Sequence, residues 1–379
     1  FLDMTNPRKM MMAAAGAGAE GGTLWTWGRN PPYYQMGIGG GVDKSTPVQV
    51  GSEENWTVAT TGDNTNQWLN ADGEIYGSGL NNHGNYGTGN VTTYSSPQLM
   101  VDPPSGTKVF VDLYIGGYGG IAVADDGTLW TWGDNGKGQL GNQTATTLDV
   151  SSPIQVGSLT DWAKCSGCEN SYTMIKTDGT LWGMGKNNEG QLGDGTKIGR
   201  SSPVQIGSLT TWDRIPSCTQ IHRYAIKTDN SLWVYGDGGQ GRLGNSSSVN
   251  RSSPVQITGS WLDAGGGQDF GIGIKTDGTL WGWGYNINGQ NGSGNTVTSS
   301  SPVQIGSLTS WESCATLNQS GFAIKTDGTA WAWGANSNGC LGISTVTNRS
   351  SPVQIASATT WSSLAKSCTG NAMAAIQGG

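Results

Sequence analysis

Only two histidines, His83 and His222, occur in 379 residues. A histidine-dependent hydrolase would have to set one of them beside a nucleophile, and neither G-x-S-x-G nor H-E-x-x-H is present. Charge is scarce as well. Charged residues make up 12 % of the chain, about half the usual quarter of a globular protein. The formal net charge is −7 and no basic run exceeds the pair Arg8–Lys9, which argues against binding along a phosphate backbone. No apolar run approaches the roughly twenty residues of a membrane-spanning helix. No stretch carries apolar residues at i, i+3, i+4 and i+7 over three turns, so helices are not expected. The six cysteines include one C-x-x-C, Cys165 and Cys168, with no partner pair. That is neither a disulfide framework nor a four-ligand zinc site, and small buried thiols are the better reading. Glycine-rich turns such as GDNGKGQLG precede no helix and no GK[ST], and the Asp-Gly turns lack the ligand series of a calcium loop. No metal, cofactor or catalytic group is therefore expected.

Glycine (63 residues) and tryptophan (17 residues) are abundant instead. They fall in a repeat. Seven copies of one motif read GTLWTWG from Gly22, GEIYGSG from Gly73, GTLWTWG from Gly127, GTLWGMG from Gly179, NSLWVYG from Asn230, GTLWGWG from Gly278 and GTAWAWG from Gly328. The steps between them are 51, 54, 52, 51, 48 and 50 residues. A period near fifty residues marks an array of units, each too small to bury its own apolar face. After each copy comes a glycine-rich turn such as NGKGQLG (Asn135 to Gly141), a linker, SSPVQI or a variant, a tryptophan and then AIKTDG or a relative of it. The blade tryptophans are Trp56, Trp162, Trp212, Trp261, Trp311 and Trp361, with Phe110 in the remaining slot. Of the 17 tryptophans only Trp68 leaves the three repeat positions, so they read as architecture rather than as a ligand cage. Cys165 and Cys314 lie three residues after the blade tryptophan, and Cys168 and Cys218 six after. Recurrence at equivalent positions places these cysteines near a central channel.

Each unit reads as four short strands. Alternation in LWTWG sends Trp25 and Trp27 to one face, proline enters PVQI where a missing N–H is tolerated, and Asp-Gly pairs such as Asp126–Gly127 suit type I′ hairpin turns. Four strands per fifty residues is a propeller blade. The chain has a GTLWTWG with no SSPVQI before it and a final SSPVQI with no TDGTLW after it. We therefore expect an all-β, seven-bladed propeller over 22–379, closed by pairing Gly22–Gly28 with the segment ending near Ile376, and preceded by an arm over 1–21. Closure removes sheet edges, and truncation at either end is expected to open the ring.

The unit DGTLWTWGDNGKGQLG with SSPVQIGSL resembles the repeat of the regulator of chromosome condensation family, over nearly the whole chain from Gly22 to Gln377. The SPVQIGSLTxW version looks most like repeats of bacterial and bacteriophage proteins. The resemblance implies a seven-bladed propeller. It also implies a range of uses, from a nucleotide-exchange factor on chromatin to secreted inhibitors of β-lactamase, so the fold does not decide the function. The exchange factor is a poor match: its projecting hairpin wedge has little room in this repeat spacing, and the chain is acidic. Two blades depart from the pattern, with NPPYYQMG (Asn30 to Gly37) in one, and GEIYGSG, NNHGNYG and DPPSGTKVF in the other.

Two regions are candidates for binding. In the arm, Arg8 and Lys9 precede Met10, Met11 and Met12 in a Met/Ala/Gly stretch. It reads either as a weak signal peptide, with an A-x-A near Ala15–Ala17, or as a tether over Met4–Glu20 that docks on a neighbouring subunit. Met4 is a plausible start, preceded by Phe1 to Asp3. In the irregular blades, Tyr33, Tyr34, His83, Asn85 and Tyr86 break the consensus, and exposed aromatics are common anchors. The alternative is that the irregularity only accommodates ring closure. On this reading the protein is a non-enzymatic structural, decoration or adhesion protein of a bacteriophage virion. It is anchored to other virion proteins by its arm and displays a propeller to a host protein or glycan, with no nucleic acid and no membrane span. The alternative is a secreted bacterial protein-binding or inhibitor propeller.

Overall fold

A computed structural model describes residues 21–103, 106–143, 148–218, 221–367 and 370–378. The arm, and with it Arg8, Lys9, Met10, Met11 and Met12, lies outside the described residues. The described residues form seven four-stranded antiparallel blades around a central channel. The first, innermost strands of blades 1 to 6 are Trp56–Thr61, Phe110–Ile115, Trp162–Cys168, Trp212–Arg214, Trp261–Gly266 and Trp311–Leu317. Blade 7 takes Trp361–Leu364 and Ala372–Gly378 from one end of the ring, and Gly22–Gly28 and Lys44–Gln49 from the other. Among the described residues, helix is confined to one 3-10 turn, Gly239–Gly241.

Closure follows the register that the half-unit count implies. Gly22 to Gly28 pairs along its whole length, with Leu24 opposite Ile376 and Gly22 opposite Gly378. Blade 7 then joins blade 1 through Gly22 opposite Trp56, and through the short parallel strand Lys366–Ser367 beside Thr60–Thr61.

The Asp-Gly turns differ in detail from the type I′ expectation. Gly127 has φ 76° and Gly179 has φ 75°, whereas no aspartate of these turns has positive φ. The Gly127 N–H donates to the Ala124 carbonyl (2.9 Å) and the Ala124 N–H to the Thr128 carbonyl (2.9 Å). The loop thus has three residues and ends on a left-handed glycine, the pattern of a type I turn with a bulge. The aspartate also fixes the start of the strand that follows. Asp126 Oδ1 accepts the Thr128 N–H (3.1 Å), and the Thr128 hydroxyl accepts the Trp130 indole N–H (2.8 Å).

In the four motifs that have a second tryptophan, that residue stitches one blade to the one before it. Trp27 donates its indole N–H to the Cys340 carbonyl (2.8 Å), Trp132 to Asn85 (2.9 Å), Trp283 to Arg242 (2.9 Å) and Trp333 to Gln290 (3.0 Å). In blade 1 the Ser78 hydroxyl does the same to Gln35 (2.8 Å). Each of these contacts has a main-chain acceptor, and Trp283 also reaches the Tyr224 hydroxyl (3.0 Å). All four indoles are buried.

Candidate functional site

The blade edges meet solvent at two ends. At the hairpin end lie the Asp-Gly turns and the start of each innermost strand. At the loop end lie the turns between first and second strands and the glycine-rich loops.

At the hairpin end the channel opens into a cavity of about 430 Å³ lined by blades 2 to 7. Cys165 and Cys314 line it, as their position three residues after the tryptophan leads one to expect. Each sits beside an aspartate of the preceding blade. Asp112 Oδ2 accepts the Cys165 N–H (2.9 Å) and Asp263 Oδ2 accepts the Cys314 N–H (2.8 Å), so the two carboxylates tie adjacent inner strands together. Lys366 pairs with Asp112, and Lys164 reaches Asp213 (3.1 Å). Burial pushes the Asp263 carboxyl up to about 6, against the pull of the Cys314 and Ala264 N–H groups and Arg214. Burial also raises the Cys165 and Cys314 thiols well above their ordinary value, with the adjacent aspartates adding to the rise. Neither is a thiolate nucleophile at neutral pH. The five described cysteines are free.

At the loop end, the turns of blades 1, 2 and 3 and the loop of blade 7 converge on Tyr118. Burial raises its phenol pKa first; the charges of Asp63, Glu169, Tyr33 and Asp134 follow. Asp63 is itself raised by burial and by Glu169, with Arg29 pulling the other way. The His83 ring lies 5.2 Å from the Tyr118 ring, and its Nδ1 is 2.5 Å from Asp149 Oδ2. Gln139 bridges Asp134 (2.8 Å) and Asn170 (3.3 Å). Two phenols, an imidazole and four carboxylates thus share one partly exposed patch across four consecutive blades.

Nitrogen and oxygen atoms of His83, Asp134 and Asp149 lie within 4.8 Å of one another, a donor set that fits a divalent cation. The His83–Asp149 contact has a second explanation, however. Equivalent residues touch on later blades, where Asn250 meets Glu189 (2.7 Å) and Asn348 meets Asn288 (3.2 Å). It is one form of a polar link between neighbouring blades.

The sequence candidates divide accordingly. Tyr33 and His83 belong to the patch, and Tyr34 is exposed on the blade 7 loop with its ring over Gly41. Asn85 and Tyr86 do not reach solvent. Tyr86 fills the place that Leu140 and Leu192 occupy in later blades, and its hydroxyl donates to the Thr92 carbonyl (2.7 Å). Gly77 makes room for it, since a β-carbon there would collide with the tyrosine. Asn85 is a latch residue: its carbonyl accepts Trp132 and its amide reaches Thr65 Oγ1 (3.2 Å). Sequence reading missed Tyr118, Asp63, Glu169, Asp134 and Asp149. The only available signal was that YGG at Tyr118 and GDN at Asp134 stand one repeat position from the irregular loops. His222 is fully buried in blade 4, with neither ring nitrogen hydrogen-bonded and its ring 5.3 Å from that of Tyr224.

Profiles of the regulator of chromosome condensation (RCC1) repeat match residues 126–173, 178–220, 277–316 and 327–372, and a second profile of the same repeat matches 110–139. Together they take in just over half of the chain. The chain belongs to the RCC1 repeat family. It is 27 % identical over 250 residues to the ultraviolet-B receptor UVR8 of Arabidopsis thaliana, covering 65 % of this chain and 56 % of that protein. It is 31 % identical over 141 residues to the X-linked retinitis pigmentosa GTPase regulator of Canis lupus familiaris, covering 37 % of this chain and 14 % of that one. The chain therefore spans about half, or far less, of these relatives' lengths. Among solved structures, human WBSCR16 superposes with TM-score 0.84 at 18 % identity, covering 94 % of this chain and 98 % of that one. Prp20p of Saccharomyces cerevisiae, reported with its binding to Gsp1p and histones, gives TM-score 0.84 at 16 % identity, covering 98 % and 95 %. At such identities the likeness is one of fold. The named relatives are plant, animal and yeast proteins, and they lend nothing to the narrower likeness to bacterial and bacteriophage repeats.

Proposed function

We propose that the chain is a non-catalytic protein-binding propeller and that its loop end over blades 7, 1, 2 and 3 receives the partner. The observation that carries this reading is Tyr118, a partly exposed phenol ringed by Asp63, Glu169 and Asp134 and flanked by Tyr33 and His83. Carboxylates crowded together repel one another and cost stability, and the five later uses of the same turn do without this arrangement. Aromatic anchors inside a charged rim are common at protein interfaces. The acidic sign favours a basic partner surface. The use of the same fold by the yeast protein to bind other proteins supports the class of function and transfers no partner.

The narrower reading, a virion protein tethered by residues 4–20, rests on the composition of the arm and on low charge. It belongs to this proposal only as a way of delivering the propeller to an assembly. The test of binding is recovery of partners on the native chain compared with Tyr118→Ala and with Asp63→Asn combined with Glu169→Gln. Both variants should lose the same partners. An unchanged partner set in both overturns the assignment of this face. Deleting residues 4–20 tests the tether separately: a chain that leaves a large particle on deletion supports it, and a free monomer with or without the arm removes it.

A further inference from the structure

At the hairpin end, four blades hold an ammonium group between two indoles. The first tryptophan of the inner strand stands opposite a lysine of the second strand: Trp162 opposite Lys176, Trp212 opposite Lys227, Trp261 opposite Lys275 and Trp311 opposite Lys325. Each Nζ lies 5.0 to 5.4 Å from the inner ring. It lies 3.6 to 4.5 Å from the third-strand ring, that of Trp182, Trp233, Trp281 or Trp331. In blade 2 the lysine position is Ala124, yet the linker supplies Lys108, whose Nζ lies 5.7 Å from the Trp130 ring. Lys108 also pairs with Asp126 (2.6 Å), so a turn carboxylate holds this ammonium group beside the ring where the strand does not provide one.

Blade 1 keeps the ring pair, and no lysine or arginine among the described residues stacks on it. Trp56 and Tyr76 meet edge to face with centroids 5.4 Å apart and an interplanar angle of 82°, close to the 5.8 Å and 81° of Trp162 and Trp182. The residue opposite Trp56 is Asn70. The rim of this slot is acidic. Tyr76 donates its hydroxyl to Glu74 (3.0 Å), Asn70 donates its amide to the same carboxylate (2.9 Å), and Glu53 and Asp72 also act on the Tyr76 phenol. Glu53, Asp72 and Glu74 are all exposed. Glu74 stands where other turns have threonine or serine to receive the indole N–H, so the acid has replaced a neutral acceptor. Blade 7 is the internal contrast. It has the pair Trp25 and Trp361 (6.2 Å, 77°) with Gln377 in the lysine position, and among the described residues Gln377 is engaged with Thr360 (2.7 Å) rather than with a carboxylate.

We propose that the hairpin end of blade 1 is a receptor slot for a lysine or arginine side chain of a partner protein, which supplies in trans the cation that the other blades carry in cis. The aromatic pair and the three carboxylates both select a positive charge, and the Tyr76 ring is only half-buried. This site lies at the opposite end of the ring from the patch around Tyr118 and stands independently of it.

The test is fluorescence anisotropy of a fluorescein-labelled peptide of glycine-spaced lysines, titrated with the full chain at low and at high salt. Wild type should bind, and Asn70→Lys, which fills the slot from within, should weaken binding at least about tenfold, the worth of one partly desolvated cation–π contact. Gln377→Lys makes the same charge change at the blade 7 pair and should leave affinity within about twofold of wild type. If Asn70→Lys does not fold, Tyr76→Leu replaces it with the same expectation, and Tyr76→Phe, which keeps the ring, should stay close to wild type. The proposal is overturned if wild type does not bind the peptide at concentrations up to about 1 mM. It is also overturned if Asn70→Lys and Gln377→Lys weaken binding equally, since that outcome reports net charge alone.

Discussion

Ring closure turns on the strand Gly22–Gly28, and its two tryptophans allow the strength of the seam to be measured. Trp27 is fully buried, donates to the Cys340 carbonyl at 2.8 Å, and packs edge-on against Phe322 (6.5 Å) and Trp361 (6.0 Å). Truncating a buried aromatic to alanine costs about 3–5 kcal/mol, and stranding a buried carbonyl adds about 1 kcal/mol or more. Trp27→Ala should therefore lose about 4–6 kcal/mol. Trp25 lies on the same face two residues away, half-exposed, with its indole bonded to Thr23 Oγ1 (2.9 Å). Its smaller buried area predicts a loss of about 1–2 kcal/mol for Trp25→Ala. Equilibrium urea unfolding followed by far-UV circular dichroism reads both, without relying on tryptophan emission. With a slope of about 3–4 kcal/mol per M, Trp27→Ala should lower the midpoint by roughly 1–2 M and Trp25→Ala by less than about 0.6 M. Equal midpoints for the two variants would refute the reasoning, because the closing blade would then gain nothing from its stitch to blade 6.

Two buried groups should tilt stability with pH in opposite senses. Burial, with Arg242 and Arg223 as lesser causes, holds His222 well below 6.5. The unfolded chain therefore takes up a proton first, and stability present above that pH is lost as pH falls through it. His222→Leu should flatten the fall in urea midpoint between pH 7 and 5, and an unchanged slope counts against the assignment. Asp263, raised to about 6, contributes stability that is complete below its ordinary 3.8 and is lost as pH rises through 6. Carboxyl titration by NMR should show one aspartate with a midpoint near 6, absent in Asp263→Asn; if every aspartate titrates below about 4.5, this account fails. Arg223 is buried and donates to the Ser171 carbonyl (3.0 Å), the Ser171 hydroxyl (2.7 Å) and the His222 carbonyl (2.9 Å). Arg223→Ala leaves those acceptors unpaired and should cost about 3–5 kcal/mol, read as a lower urea midpoint; a loss under about 1 kcal/mol would show that water replaces the guanidinium freely.

The fold was legible because a repeat states the same residue–environment pairing several times over. Gly28 at φ 101° and Gly133 at φ 94° end equivalent strands, and any one of these glycines would have been weak evidence alone. Counting half-units sufficed to place Leu24 opposite Ile376, since a register is an integer and a ring has one way to close. The site was less legible for the same reason. A departure from the consensus marks a place where the environment has changed, but it does not say in which direction. Tyr86 departs from leucine but stays buried inside the blade, where Gly77 leaves it room and its hydroxyl finds the Thr92 carbonyl. Tyr118 departs without compensation and stays partly exposed among carboxylates. The two cases differ only in the partner residue across the sheet or across the blade boundary, and linear sequence separates those partners by nine residues in one case and by about fifty in the other. The same logic distinguishes Asn70 from Gln377. Both replace the slot lysine, yet only beside Asn70 has a turn acceptor become Glu74, so the loss of an internal cation coincides with a gain of negative charge. A substitution that left an unfilled slot for neutral reasons would carry no such companion, and that coincidence makes blade 1, rather than blade 7, the one expected to take a cation from outside.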